Sequence, residues 1–325
     1  MPGRSRAWRS GCRLVFASGS SRARPEVNQR AAARILTALL LAACTGPAAA
    51  PPSPLTAAPS ATVESSPSLA AATPSPEPTA TPRTHPPAVA SDPDTLALQI
   101  VEAERAVRNQ SVSGADLAWF GHLQQLTYRR LAARPEWHDA VLGALPAEMR
   151  VTATANADAT ADLRATVVPG PDLPTAWRIV DPAPLSDLNR YYREAETEFG
   201  VSWAYLAAIH LVETRMGRIR GTSIAGAQGP MQFMPATWKV WGEGDVDSDR
   251  DAIRAAARYL RANGAPGNMA GALFRYNQSQ RYVRAVTAYA EVMRADPDAF
   301  RGYYHWQVYY LTTRGDIWLP VGYGR

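Results

Sequence analysis

The stretch SWAYLAAIHLVETRMGRIRGTSIAGAQGPMQFMP, residues 202–235, carries the reading of this chain. Leu206, Ile209, Val212 and Met216 recur at three- and four-residue spacing, which predicts an amphipathic helix over Trp203–Met216. Ser202 stands at its expected N-cap and Gly217 at its expected stop. The run Gly226-Ala227-Gln228-Gly229-Pro230 predicts a turn that leads into a second helix through Pro235 and Trp238. One residue breaks the pattern. Glu213 sits in the last turn of the apolar helix, flanked by Val212 and one turn from Ile209 and Met216. A carboxylate near the negative end of a helix dipole and among hydrocarbon is disfavoured in its charged form. Both effects raise its pKa, as a general acid working near neutrality requires. Taken on spacing alone, the same residue could equally be a solvated glutamate paired with Arg215 or Arg218.

Outward from this stretch the pattern stays helical. Leu185–Phe199 reads as a helix closed by Gly200, and Asp251–Asn263, Met269–Tyr276 and Tyr282–Ala295 read as three more. Upstream, Leu96, Ile100, Val101, Ala103 and Val107 mark one helix, and Leu117, Phe120, Leu123, Leu126 and Leu131 a second. A short helix is expected over Glu136–Leu145 and a weakly patterned one over Met149–Val168, before the boundary Pro169-Gly170-Pro171. The tail Tyr303–Trp318 alternates aromatics (Tyr304, Trp306, Val308, Tyr310) and reads as extended or hairpin-like. Its rings read as core or as flat platforms for a sugar. The fold class is all-α, with a small helical region at 94–168 and a main helical domain at 172–325.

The N-terminal part is of another kind. Thirteen of the 27 prolines fall between Pro47 and Pro93, in a segment almost wholly Pro, Ala, Ser and Thr. Residues 45–93 cannot bury enough apolar surface to offset ordering entropy, so they read as a disordered tether. Residues 1–44 carry eight arginines and one glutamate, so the whole-chain charge of +5 becomes −2 beyond Cys44. That balance, with no basic run after residue 45 and no glycine-rich phosphate loop, argues against a nucleic-acid binder or P-loop enzyme. Behind Arg30 and Arg34, the apolar run Ile35–Ala43 is too short to span a membrane and reads as a secretory signal. It ends in Leu41-Ala42-Ala43-Cys44, which resembles the lipobox of bacterial lipoproteins, in which the cysteine is lipidated. Ordinary cleavage near Ala48–Ala50, discarding Cys44, is the other route. Either way the chain is expected to be exported to the cell envelope. The two cysteines, Cys12 and Cys44, both lie in this leader, so cysteine catalysis and a cysteine-held zinc are excluded downstream.

The motif order around Glu213 resembles the lytic transglycosylases, goose-lysozyme-like enzymes that cleave bacterial peptidoglycan. The residues that carry the likeness are Glu213, Met216-Gly217, Ser223, the run Gly226 to Pro235, and Tyr276-Asn277. The likeness covers about Trp177–Arg294, and the Gly229-Pro230-Met231-Gln232 variant is closest to secreted Gram-positive-type and B-type murein enzymes. Thr214 stands where that family has serine, and Arg275 where it has alanine before Tyr-Asn. The resemblance implies a lysozyme-like domain acting on peptidoglycan strands, with Glu213 as single acid/base. Glu213 would protonate the oxygen between N-acetylmuramic acid and N-acetylglucosamine, then take the proton of the 6-hydroxyl as it attacks C1, leaving a 1,6-anhydro end. Ser223 and Gln232 would hold the acetamido group, Met231 would line a sugar subsite, and Tyr276 would donate to Glu213 or the acetamido carbonyl. Asn277 would bind substrate or brace the backbone. A hydrolytic muramidase would want a second carboxylate. Glu213 is the sole acid in 201–240, with Glu243 and Asp245 as the nearest candidates. A glycan-binding module without catalysis is the third reading.

No cofactor or metal is expected. Asp245 to Asp251 begins like a calcium loop but has Arg250 in place of the required glycine and Ala256 in place of the closing glutamate. Asp249 or Asp251 is instead expected to cap a helix. The five histidines form no metal spacing, and His210 is expected to pack beside Glu213.

Overall fold

The computed structural model describes residues 84–324. The leader, Cys44 and the tether up to residue 83 lie outside them. Among the described residues the chain is mostly helical, with two small two-stranded sheets. Residues 84–92, placed in the tether by composition, lie against the first helices. Trp119 Nε1 donates to the Thr84 carbonyl, Gln99 Nε2 to that of Ala88, and Gln99 Oε1 accepts from the Ala90 amide. The change of character therefore falls about ten residues before Asp94.

Four helices precede the proline boundary: α1 (Pro93–Arg108), α2 (Gly114–Ala132), α3 (His138–Ala144) and α4 (Ala147–Arg164). Asp92 caps α1 by accepting from the Thr95 amide at 2.8 Å. β1 (Arg178–Ile179), α5 (Leu185–Phe199), α6 (Trp203–Thr214) and β2 (Ile219–Arg220) follow, and β1 pairs antiparallel with β2. Then come α7 (Pro235–Trp241), α8 (Asp249–Ala262), α9 (Met269–Tyr276), α10 (Gln280–Ala295) and α11 (Ala299–Tyr304). β3 (Val308–Thr312) and β4 (Gly315–Leu319) form the C-terminal hairpin, with Val308 opposite Leu319. The cap of α8 is Ser248, whose hydroxyl accepts from the Asp251 amide; Asp249 and Asp251 occupy its first turn, where acids suit the dipole. The six-residue α11 had no readable period, and Gly302 lies within it.

The core runs unbroken across Pro169–Pro171. Leu96 and Ile100 of α1, Leu131 of α2 and Ala153 of α4 share one apolar cluster with Leu206, Ile209 and Tyr289. α4 packs along α10, and α10 along α6, so the first four helices back the central helix. A buried polar network ties them. Glu104 accepts from Asn156 Nδ2 at 3.3 Å, from the Tyr128 hydroxyl and from Arg108, while Tyr303 of α11 donates to Asn156 Oδ1. Replacing Glu104 by leucine leaves the Tyr128 hydroxyl and the Asn156 amide without their acceptor. We expect a loss of about 3 kcal/mol, lowering the thermal midpoint by about 6–12 °C in a melt followed by circular dichroism.

Candidate active site

α6 is the buried centre of the fold. Trp203, Ala204, Leu206 to Leu211 and Thr214 are all buried, so apolar contact surrounds it on nearly every face, beyond the single stripe its period predicts. Only Tyr205, Val212 and Glu213 are partly open. The helix stops at Thr214, three residues before Gly217. Arg215 (φ 55°), Met216 (φ 60°) and Gly217 (φ 78°) then run in the left-handed region. Two of these are not glycine, which costs about 1–2 kcal/mol each. Thr214 holds the bend. Its hydroxyl donates to the Pro230 carbonyl at 2.6 Å and accepts from the Gly217 amide at 3.0 Å. The helix end that carries Glu213 is thereby bonded to the glycine-rich turn.

The Glu213 carboxyl accepts a 2.7 Å hydrogen bond from the Tyr282 hydroxyl, at the first turn of α10. Burial raises its pKa to about 7, while the Tyr282 donor, which favours the carboxylate, pulls the other way. The ring of Tyr282 stacks on that of Tyr276, 6.5 Å between centroids and 6° from parallel. Tyr276 itself donates to the Met231 carbonyl at 2.6 Å rather than to Glu213. Of the two roles expected for Tyr276, donation to Glu213 is filled by Tyr282 instead. As one of a series of residues at helical spacing with Val283 and Val286, it carried no separate signal.

The turn Gln228–Phe233 is closed by two backbone bonds, Gln228 to Phe233 at 2.8 Å and the reverse at 2.9 Å. Gln232 adopts φ 51° at its tip, and its Nε2 donates to the Gly229 carbonyl at 2.9 Å. Its half-buried side chain presents Oε1 as an acceptor. The Met231 side chain, expected to line a sugar subsite, is fully buried in the core. Only its backbone carbonyl serves the site. Ser223 shapes its own loop, its hydroxyl accepting from the Ala227 amide at 3.0 Å. Asn277 is the exposed C-cap of α9. His210, three residues before Glu213 on α6, is bonded to the Tyr192 hydroxyl at 2.7 Å and lies 3.5 Å from Asp249. Trp306 is core, its Nε1 donating to Gln124 at 3.0 Å.

A cavity of about 230 Å³ borders Glu213, and among the described residues no other carboxylate belongs to its wall. Glu243 is instead paired with Arg258 at 2.8 Å, and Asp245 Oδ1 accepts from the Asp247 amide at 2.9 Å. Among the described residues no cluster of three or more His, Cys, Asp or Glu could hold a metal. No described helix is long and apolar enough to cross a membrane.

Fold and site together define a helical domain with a single-carboxyl site at the end of its central helix. Residues 190–297, from within α5 to just past α10, match the family model described as "Transglycosylase SLT domain". Over 127 residues the chain is 32% identical to the membrane-bound lytic murein transglycosylase F of Thiobacillus denitrificans. That alignment covers 37% of this chain and 27% of the relative's length. No solved structure matches. The family model covers the part that holds Glu213 and the glycine-rich turn; α1–α4 and the hairpin lie outside it.

Proposed function

We propose that this chain is a peptidoglycan lytic transglycosylase that cleaves the N-acetylmuramic acid–N-acetylglucosamine bond without water, Glu213 acting alone as acid and base. The observation that carries the reading is Glu213 itself: a half-buried carboxyl with pKa near 7, on a cavity wall with no second carboxylate among the described residues. A group poised at that pKa is protonated often enough to donate and ionised often enough to accept near neutral pH. Glu213 gives its proton to the glycosidic oxygen as that bond breaks. The Tyr282 hydroxyl then stabilises the carboxylate it leaves behind, and the carboxylate takes the proton of the sugar's 6-hydroxyl as that oxygen bonds to C1. The family match and the named relative support the substrate class.

Gln232 Oε1, Ser223, Tyr276 and the exposed Asn277 are the candidate contacts to the sugar's acetamido and hydroxyl groups. The reading extends to the envelope: Cys44 is the proposed lipid attachment point, ahead of the Pro-rich segment.

Mass spectrometry of purified peptidoglycan digested by the full chain tests this. The expected products are muropeptides ending in 1,6-anhydro-N-acetylmuramic acid, lighter by one water than the hydrolysed forms. Reducing-end products instead would make the protein a muramidase with water as nucleophile, and intact strands would leave a glycan-binding module.

A further inference from the structure

The cavity beside Glu213 is strongly cationic. Its wall includes Arg129 from α2, Arg164 from α4 and Arg215 from the end of α6. One carboxylate serves the first two: Asp316 of the hairpin lies 2.8 Å from Arg129 and 2.8 Å from Arg164. Arg215 has no carboxylate within ion-pair distance among the described residues. It donates to the Leu211 carbonyl in its own helix. Burial lowers its pKa to about 10, which leaves it charged at neutral pH. With Glu213 protonated, the three guanidinium groups of the wall have, among the described residues, one carboxylate between them, Asp316, which pairs with Arg129 and Arg164 and is not itself part of the wall. Such an excess is costly unless an anion completes it.

Backbone geometry adds a second observation. Arg215 is the left-handed cap of α6, a position where glycine ordinarily stands and an arginine is strained. Its guanidinium bonds the Leu211 carbonyl at the helix end and also borders the cavity. Apolar and aromatic surface makes the rest of the wall, with Trp177, Leu163, Tyr289 and Tyr310. That combination of guanidinium and flat apolar surface suits a planar carboxylate or amide chain. Arg129, Arg164, Trp177 and Tyr310 all lie outside the segment that matches the family model.

We propose that this cavity is a carboxylate-binding subsite that takes the acidic peptide substituent of the glycan strand, with Arg215 as its principal cation. The proposal rests on the functional reading above and adds what the enzyme recognises beyond the sugars. α2, α4 and the hairpin then form the specificity wall of the site as well as its brace.

The test is equilibrium binding to the full chain carrying Glu213→Gln, which keeps the cavity neutral at that position and does not consume the probe. Three probes are compared: muramyl dipeptide, its carboxyl-amidated counterpart and chitotriose, which has acetamido sugars but no carboxylate. The acid should bind at least about tenfold more tightly than the amide. Added Arg215→Gln should erase that difference and leave chitotriose unaffected, whereas Arg215→Lys should keep part of it. Because Arg215 is partly buried, Arg164→Gln, at the end of α4, gives an independent variant, also expected to reduce the preference. Equal affinity for acid and amide, or equal weakening of all three probes by both arginine variants, would overturn the subsite. Inorganic phosphate competing more strongly than muramyl dipeptide would overturn the proposed occupant. Wild-type cleavage of peptidoglycan without any acid preference sinks the subsite alone. An acid preference in a protein that cleaves no peptidoglycan sinks the functional reading instead, and the occupant with it.

Discussion

Glu213→Gln loses at least about 100–10,000-fold in turnover on purified peptidoglycan while melting at a higher temperature than the wild type at pH 8. The two effects have one cause. In the folded protein burial raises the Glu213 pKa to about 7, against an ordinary 4.5. A carboxyl with a raised folded pKa contributes its full stability below pH 4.5, where both states are protonated. That contribution is lost as pH climbs through 7, because the folded chain must then hold a charge that the unfolded chain holds in water. The span from 4.5 to about 7 corresponds to about 3 kcal/mol at most, and partial exposure reduces it to about 1–3 kcal/mol. Glutamine carries no charge at any pH, so the variant avoids this cost. Its melting point should rise by about 2–8 °C at pH 8 and by nothing at pH 4. Wild-type turnover should fall on the alkaline side of about pH 7, as the acid form disappears. Turnover that survives in the variant would remove Glu213 from the chemistry, and equal melting at pH 8 would remove the burial account of its pKa.

Most of what local pattern can carry was legible. The bounds of α5 follow from its period and from Gly200, and Glu213 stands out as the one acid in a hydrocarbon helix. Misreadings cluster where a side chain's partner comes from a distant element. Tyr282 reaches Glu213 only because α10 crosses the end of α6, 69 residues further along the chain. Met231, expected from the resemblance to line a sugar subsite, is buried next to the left-handed Gln232, and its carbonyl accepts from the Tyr276 hydroxyl. Asp316 reads as a polar residue in a hairpin and becomes the shared counter-charge of Arg129 and Arg164 through two contacts more than 150 residues away. Arg215 is the sharpest case. Its sequence context offered it as the partner of Glu213, but the left-handed bend separates their roles into a proton donor and an uncompensated cation on the same cavity wall.

That bend is held from the other side by the glycine-rich turn, where the second large effect is expected. Gly229 has φ +70°, and a Cβ there would lie 2.0 Å from the Val246 carbonyl oxygen, a backbone atom that cannot swing aside. Its own carbonyl accepts from both the Gln232 amide at 3.1 Å and Gln232 Nε2 at 2.9 Å. The next residue, Pro230, supplies the carbonyl that receives the Thr214 hydroxyl. Gly229→Ala must therefore push the turn away from the chain at Val246 and pull on Thr214, the neighbour of Glu213. A displacement on the order of 1 Å at a catalytic group costs about 100-fold in rate. The clash and the left-handed backbone together should lower stability by about 3–4 kcal/mol. Gly226 supplies the control. It has φ +87° but no heavy atom within 4 Å of an added Cβ, so Gly226→Ala bears the backbone strain alone, about 1–2 kcal/mol. Turnover of the Gly226 variant should stay within about tenfold of wild type, because Thr214 and Pro230 keep their bond. If both variants lose activity equally, the effect lies in loop flexibility; if only Gly229→Ala does, the Thr214–Pro230 link is what sets the position of Glu213.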